Sequence, residues 1–170
     1  MGMTRHLGWT LACTLAITAA CGGQRPDTAV GPDPRTADSL VFERTACFGF
    51  CPVYRLRLSR DGSVTLHWQE QREPRAVIEG SWTIAPAAVQ ALLAQAQHGG
   101  ITALPDDLPA SKLYCPQAWT DAPGAVVAFY GPGWSKRITD YFGCQKVPPA
   151  LRAFELAVDS ASDLNAHRPN

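Results

Sequence analysis

Charge of one sign is what this sequence lacks most plainly. Its 170 residues carry 15 Lys plus Arg against 15 Asp plus Glu, with no block of like charge, so the electrostatic footprint of a nucleic-acid-binding protein is missing. Histidine is scarce too, at 4 residues, which leaves few bases to activate a nucleophile. His67 falls in a strand pattern, His98 at a helix end and His167 in the tail, each alone in its segment. No glycine loop fit to cradle phosphate is present, because Gly131-Pro132-Gly133 is followed by a strand pattern and not by a helix. Asp106 and Asp107 are adjacent carboxylates in a proline-rich loop, and adjacent side chains rarely face one substrate. No catalytic residue, cofactor or metal is implied by any of these, and no apolar run reaches the roughly 20 residues of a spanning helix.

What is present begins with a leader. Arg5 and His6 precede an uncharged, largely apolar run from Leu7 to Ala20, the arrangement of an export signal over residues 1–21. Its end, Thr18-Ala19-Ala20-Cys21, resembles the lipobox of bacterial lipoproteins, with threonine where leucine usually stands. The resemblance implies that Cys21 is acylated and becomes the first mature residue. Gly22 in place of aspartate then resembles the sorting choice of outer-membrane lipoproteins facing the periplasm. Two acyl chains anchor stably where a single one gives only marginal attachment. Residues 22–39, rich in proline and glycine, read as a flexible tether with a span of roughly 20 to 25 Å.

Residues 40–164 carry the patterns of one domain, and 165–170 those of a frayed tail. Leu40 to Glu43 suggest a strand. Tyr54, Leu56 and Leu58 alternate with Arg55, Arg57 and Ser59, and Val64, Leu66 and Trp68 continue the alternation beyond Asp61-Gly62, a tight-turn signal. Val77 to Ile84 make a fourth strand. Pro86 opens a helix with Val89, Leu92, Leu93 and Ala96 at helical spacing, ended by Gly99-Gly100. Ala125 to Tyr130 and Lys136 to Phe142 form a second hairpin. Pro148-Pro149 open a last helix whose apolar face is assigned to Leu151, Phe154, Leu156 and Val158. The order ββββαββα predicts an α+β domain, an antiparallel sheet of about six strands with two helices on one face.

With the leader removed and Cys21 acylated, Cys47, Cys51, Cys115 and Cys144 remain, and an even number in a small exported domain points to disulfides. Of three pairings, Cys47 with Cys51 and Cys115 with Cys144 is favoured, since the first pair shares a turn and the second flanks a hairpin. The alternative is thiol redox or metal handling by Cys47 and Cys51. Their Cys-x-x-x-Cys-Pro string resembles that of copper-delivery proteins of the thioredoxin-like class. Those sites open a helix, whose N-terminus lowers the thiol pKa, whereas the flanks here read as strands. A zinc site made by all four cysteines would need two short-spaced knuckles, and only one spacing is short.

The string Arg44-Thr-Ala-Cys-Phe-Gly-Phe-Cys-Pro-Val-Tyr54, with Asp61-Gly62, Gly80-Ser-Trp82, Pro86, Leu92 and Asp140-Tyr-Phe-Gly-Cys144, resembles a bacterial family described only as a domain of unknown function and marked by CFGxCPxY. The likeness covers Leu40 to Ala161, and Phe142 departs from it where glycine often stands. It implies an exported, often lipid-anchored α+β domain and brings no catalytic residue with it. Trp68 and Trp82 fall at core positions of strands, while Trp119 and Trp134 fall in loops and are the candidate contacts. The sequence thus predicts a non-enzymatic envelope module, held by disulfides and a lipid anchor, that binds an envelope protein or a cell-wall component.

Overall fold

Alternation over residues 40–68 and again over 125–142 builds a single sheet in the computed structural model, which describes Met1 and residues 31–71 and 73–169. The expected leader, Cys21 and the first part of the tether lie outside the described residues. The strands are β1 (Ser39–Arg44), β2 (Val53–Ser59), β3 (Ser63–Gln69), β4 (Val77–Thr83), β5 (Gly124–Gly131) and β6 (Trp134–Tyr141). They pair antiparallel in the order β4-β3-β2-β1-β5-β6, so the first strand in sequence is central. Helices α1 (Pro86–His98) and α2 (Pro149–Ala161) complete the predicted ββββαββα order, and a single turn, α3 (Leu164–His167), follows.

Period two places Leu40 and Phe42 of β1, Leu56 and Leu58 of β2, Val127 and Phe129 of β5 and Ile138 of β6 on one face. That face is covered by Val89, Leu92 and Leu93 of α1 and Leu151, Phe154 and Val158 of α2, all buried. The β2–β3 hairpin turns at Gly62, whose φ of +92° is open to glycine without strain. The other sheet face carries Arg55, Arg57, His67, Glu79 and Arg137 around Val41, Val126 and Ala128.

Three segments depart from the sequence expectations. Leu156 is 65% exposed, and Glu155 takes its place on the buried face of α2. The inward stripe is 151, 154, 155, 158, which is the 3.6-residue period with a carboxylate in one slot. Residues 33–37, assigned to the tether by composition, pack as a strap. Pro34–Thr36 is a 3-10 turn capped by Asp33, Ala37 is fully buried, and Thr102 donates its hydroxyl to the Pro32 carbonyl at 2.7 Å. Proline-rich composition marks stiffness as readily as looseness, and here the prolines seat against the core. In the tail, the His167 ring stacks on Trp82 with centroids 4.2 Å apart, so α3 is docked where fraying was expected to begin.

Candidate functional site

One end of the sheet collects the four cysteines and Trp119. β1 leaves the core at Arg44 and enters the loop closed by the Cys47–Cys51 disulfide, from which β2 departs at Val53. The loop rests on the start of β5: Thr45 N–H donates to the Gly124 carbonyl at 3.0 Å, the Thr45 hydroxyl accepts from Gly124 N–H at 2.8 Å, and Phe48 N–H donates to the Asp121 carbonyl. The end of β6 arrives at the same place. There Cys144 is bridged to Cys115, and Trp119 N–H donates to the Gly143 carbonyl at 2.9 Å. Both expected pairings are therefore present. Neither cysteine of the short ring lies at a helix N-terminus, so the feature that activates a thiol in copper-delivery sites is absent from its flanks. Among the described residues, no group of three or more His, Cys, Asp or Glu side chains is placed to hold a metal ion.

Beneath this end lies a buried cluster of charge, assembled from four elements. Arg44 of β1 points to α2, with Nη2 2.9 Å from Asp159 Oδ2 and Nη1 3.4 Å from Glu155 Oε2. Tyr54 of β2, on the same face as Arg44 and opposite it in register, donates its hydroxyl to Asp159 Oδ1 at 2.5 Å. Arg152 of α2 reaches Asp140 of β6, with Nε 2.8 Å from Oδ2, and its Nη2 also donates to the Tyr141 carbonyl at 3.2 Å. The Phe142 ring makes a cation–π contact with both guanidinium groups, its centroid 5.0 Å from Arg44 and 3.9 Å from Arg152.

Charge counting explains the protonation state. Arg44 and Arg152 face Asp140, Asp159 and Glu155, so the cluster is neutral only if one carboxyl keeps its proton. Burial and the neighbouring Asp140 carboxylate push Glu155 up to about 8. Burial raises Asp140 as well, against the pull of Arg152. Glu155 Oε1 and Asp140 Oδ2 are the two buried carboxyl oxygens that accept no hydrogen bond if both groups are ionised, since Arg152 Nε meets Oδ2 as an ion pair outside hydrogen-bond geometry. A single proton on Glu155, shared with Asp140, satisfies both. Burial, and then the bond to Asp159, raise the Tyr54 hydroxyl above its usual range. Arg44 stays charged because the hydrogen bond and charge of Asp159 outweigh the cost of its burial.

The centre of this cluster is enclosed, with the side chains of Glu155 and Asp140 each 1% exposed, while Asp159 and Arg152 reach toward solvent at its margin. Its chemistry is that of a clamp, fixing α2 against the ends of β1, β2 and β6. What faces solvent above it is apolar. Phe48 and Phe50, on the disulfide loop, are 89% and 75% exposed, and Trp119 and Leu113, on the neighbouring loop, are 67% and 70% exposed. Beside Phe50 is an open groove of about 440 Å³ lined by Pro52, Trp68, Glu70 and Arg168 among others. Trp68, one of its lining residues, is stacked on Tyr54 with centroids 5.5 Å apart.

The sequence-derived candidates separate accordingly. Trp119 lies at this end, against a small hollow of about 130 Å³ with Gln117 and Gln145. Trp134 lies at the other end of β6, half-buried, where its indole N–H donates to the Thr36 hydroxyl at 3.1 Å and holds the strap. The structure does not bring these two together. His67 pairs with Glu79 across the open sheet face at 3.0 Å, Asp106 with Lys136 at 2.5 Å, and Asp107 caps the Ala110 N–H at 3.1 Å. Sequence reasoning missed Arg44, Asp140, Arg152, Glu155 and Asp159 as a group. The available signal was a carboxylate at a core position of α2, together with Arg44, Tyr54 and Asp140 at the edges of the CFGFCP and DYFGC strings.

Residues 38–162 match a family described as a domain of unknown function (DUF6438), and the chain belongs to that family. No curated protein matches the chain.

Proposed function

We propose that this family member is a lipid-anchored envelope domain whose work is binding, and that it presents the Cys47–Cys51 loop to an envelope protein or a cell-wall component. One observation carries the reading: the chain enters β1 from the strap at one end of the sheet, and the exposed aromatic loop stands at the other. The six residues of β1 set these ends roughly 20 Å apart. A domain tethered through Cys21 on its N-terminal side then holds Phe48, Phe50 and Trp119 away from the membrane, toward the periplasm. The disulfide and the clamp beneath it fix the loop before any partner arrives, which lowers the ordering cost of binding. Exposed aromatic side chains on a rigid base are the usual anchors of such contacts. The outer-membrane location rests on Gly22 after the lipobox-like Thr18-Ala19-Ala20-Cys21 string.

The test has two arms. Cys21→Ser should move the protein from the membrane fraction to the soluble periplasm and abolish acylation by intact mass; retention as a diacylated species removes the anchor. Crosslinking in intact cells should lose its adducts when Phe48 and Phe50 are both changed to Ser, with thermal unfolding unchanged. Adducts that survive this change but vanish in Trp119→Ala shift the surface to the neighbouring loop, and adducts indifferent to both remove this end of the sheet from the binding role.

A further inference from the structure

The two edges of the sheet are treated differently by the fold. At the β6 edge the segment around Asp107 lies alongside: Thr139 N–H donates to the Asp106 carbonyl at 2.8 Å and the Thr139 carbonyl accepts from Leu108 N–H at 3.2 Å. The β4 edge carries no such cover among the described residues. Because Ile84 N–H and the Ala76 carbonyl point inward to β3, the residues between them alternate, and Val77, Glu79, Ser81 and Thr83 aim their N–H and C=O groups outward.

Edges left open are commonly blunted by lysine, proline, a bulge or short length. β4 has none of these, and its one charged side chain is Glu79. It is seven residues long, runs in unbroken register from Ser63↔Thr83 to Gln69↔Val77, and exposes Val77 at 56% and Ile78 at 37%. Its sequence is also complementary to itself. When two copies of β4 are laid antiparallel with full overlap, the two-fold axis falls on Gly80, and Val77 faces Thr83, Ile78 faces Trp82 and Glu79 faces Ser81 of the other copy. All four outward-pointing residues then form hydrogen-bonded pairs. Sliding the strands two residues in the direction that overlaps Val77–Ser81 sets Glu79 against Glu79, a like-charge opposition, and shortens the ladder. In full overlap the glycines meet where the backbones approach most closely.

We infer that β4 is a self-association edge, and that a second copy of this chain occupies it, continuing the sheet across a two-fold axis at Gly80. One strand pair with the Ile78–Trp82 contacts buries less than a standard interface of about 800 Å² per partner, so the dimer is a weak, concentration-dependent one.

The protein as the cell matures it, purified and followed by sedimentation up to millimolar concentration, tests this. The expected result is a monomer–dimer equilibrium, with amide exchange at Glu79 and Ser81 slowing as the dimer fills. Ser81 is exposed, so Ser81→Glu leaves the fold intact and sets carboxylates opposite one another twice per dimer. It should weaken association by roughly tenfold or more. Adding Glu79→Lys to that variant should restore it, since each new lysine then faces a glutamate. A monomer at every concentration overturns the proposal, as does a dimer indifferent to these substitutions. Protection of the same amides that appears only when envelope extract is added assigns the edge to a strand of another protein, and equally overturns it.

Discussion

Tyr54 donates its hydroxyl to Asp159, 105 residues later in the chain. This bond ties the strand that leaves the disulfide loop to the last long helix, and with Arg44 on the same carboxylate it closes the clamp beneath the exposed aromatic end.

Tyr54→Phe should therefore destabilise the domain by about 2 kcal/mol, the worth of a hydrogen bond to a charged group. Arg44→Met should cost more, about 3 kcal/mol, because it leaves the partly buried Asp159 carboxylate without its cation and removes a donor from Glu155. Urea unfolding measures both, and the double variant should fall short of the sum since the two side chains share Asp159.

Stability should fall as pH rises from the ordinary carboxylate range to about 8, the point to which Glu155 is pushed. The sign follows from proton counting: over that window the folded state keeps a proton that the unfolded chain has released, so each step up in pH favours unfolding. The slope from this one proton is at most about 1.4 kcal/mol per pH unit and vanishes above the folded value. Glu155→Gln, which mimics the protonated form, should flatten the curve and leave the variant more stable than the parent at the alkaline end. An unchanged slope in the variant would place the proton elsewhere.

The two disulfides should contribute unequally. Removing the Cys115–Cys144 bridge, which spans 29 residues, should cost about 3.5 kcal/mol, and removing Cys47–Cys51, which spans 4, about 2 kcal/mol. Thiol alkylation of native protein should label none of these four cysteines before reduction. Labelling of Cys47 and Cys51 after mild glutathione treatment alone would instead support a working redox pair.

Gly62→Ala should destabilise by about 1 to 3 kcal/mol, since the residue sits at φ +92° and an added Cβ would lie 2.3 Å from the Ile84 carbonyl oxygen. Gly133→Ala offers the control: its φ of +75° carries the same backbone strain, but nothing lies within 4 Å of the added carbon, so the loss should be smaller.

The strands and helices were legible because their signals are local. Asp61-Gly62 between two alternating runs, or Pro86 ahead of Val89, Leu92 and Leu93, needs no knowledge of what packs on them. The clamp was not legible for the opposite reason. Apolar periodicity passes over a buried carboxyl group, so it assigns to Leu156 the inward slot that Glu155 fills. The strap failed on composition: Pro32 and Pro34 look like linker residues until Thr102, Arg60 and Trp134 are seen to hold them and their neighbours. Of the loop tryptophans, position in a turn could not tell Trp119 from Trp134, because exposure depended on which distant segment came to lie over each.

The central place of β1 has a mechanical consequence. A pull applied between the strap and the aromatic loop runs along that strand, and its hydrogen bonds to β2 on one side and β5 on the other would bear the load in shear, all together and not one after another. A domain fastened at one end and gripped at the other would resist being drawn open with both ladders at once.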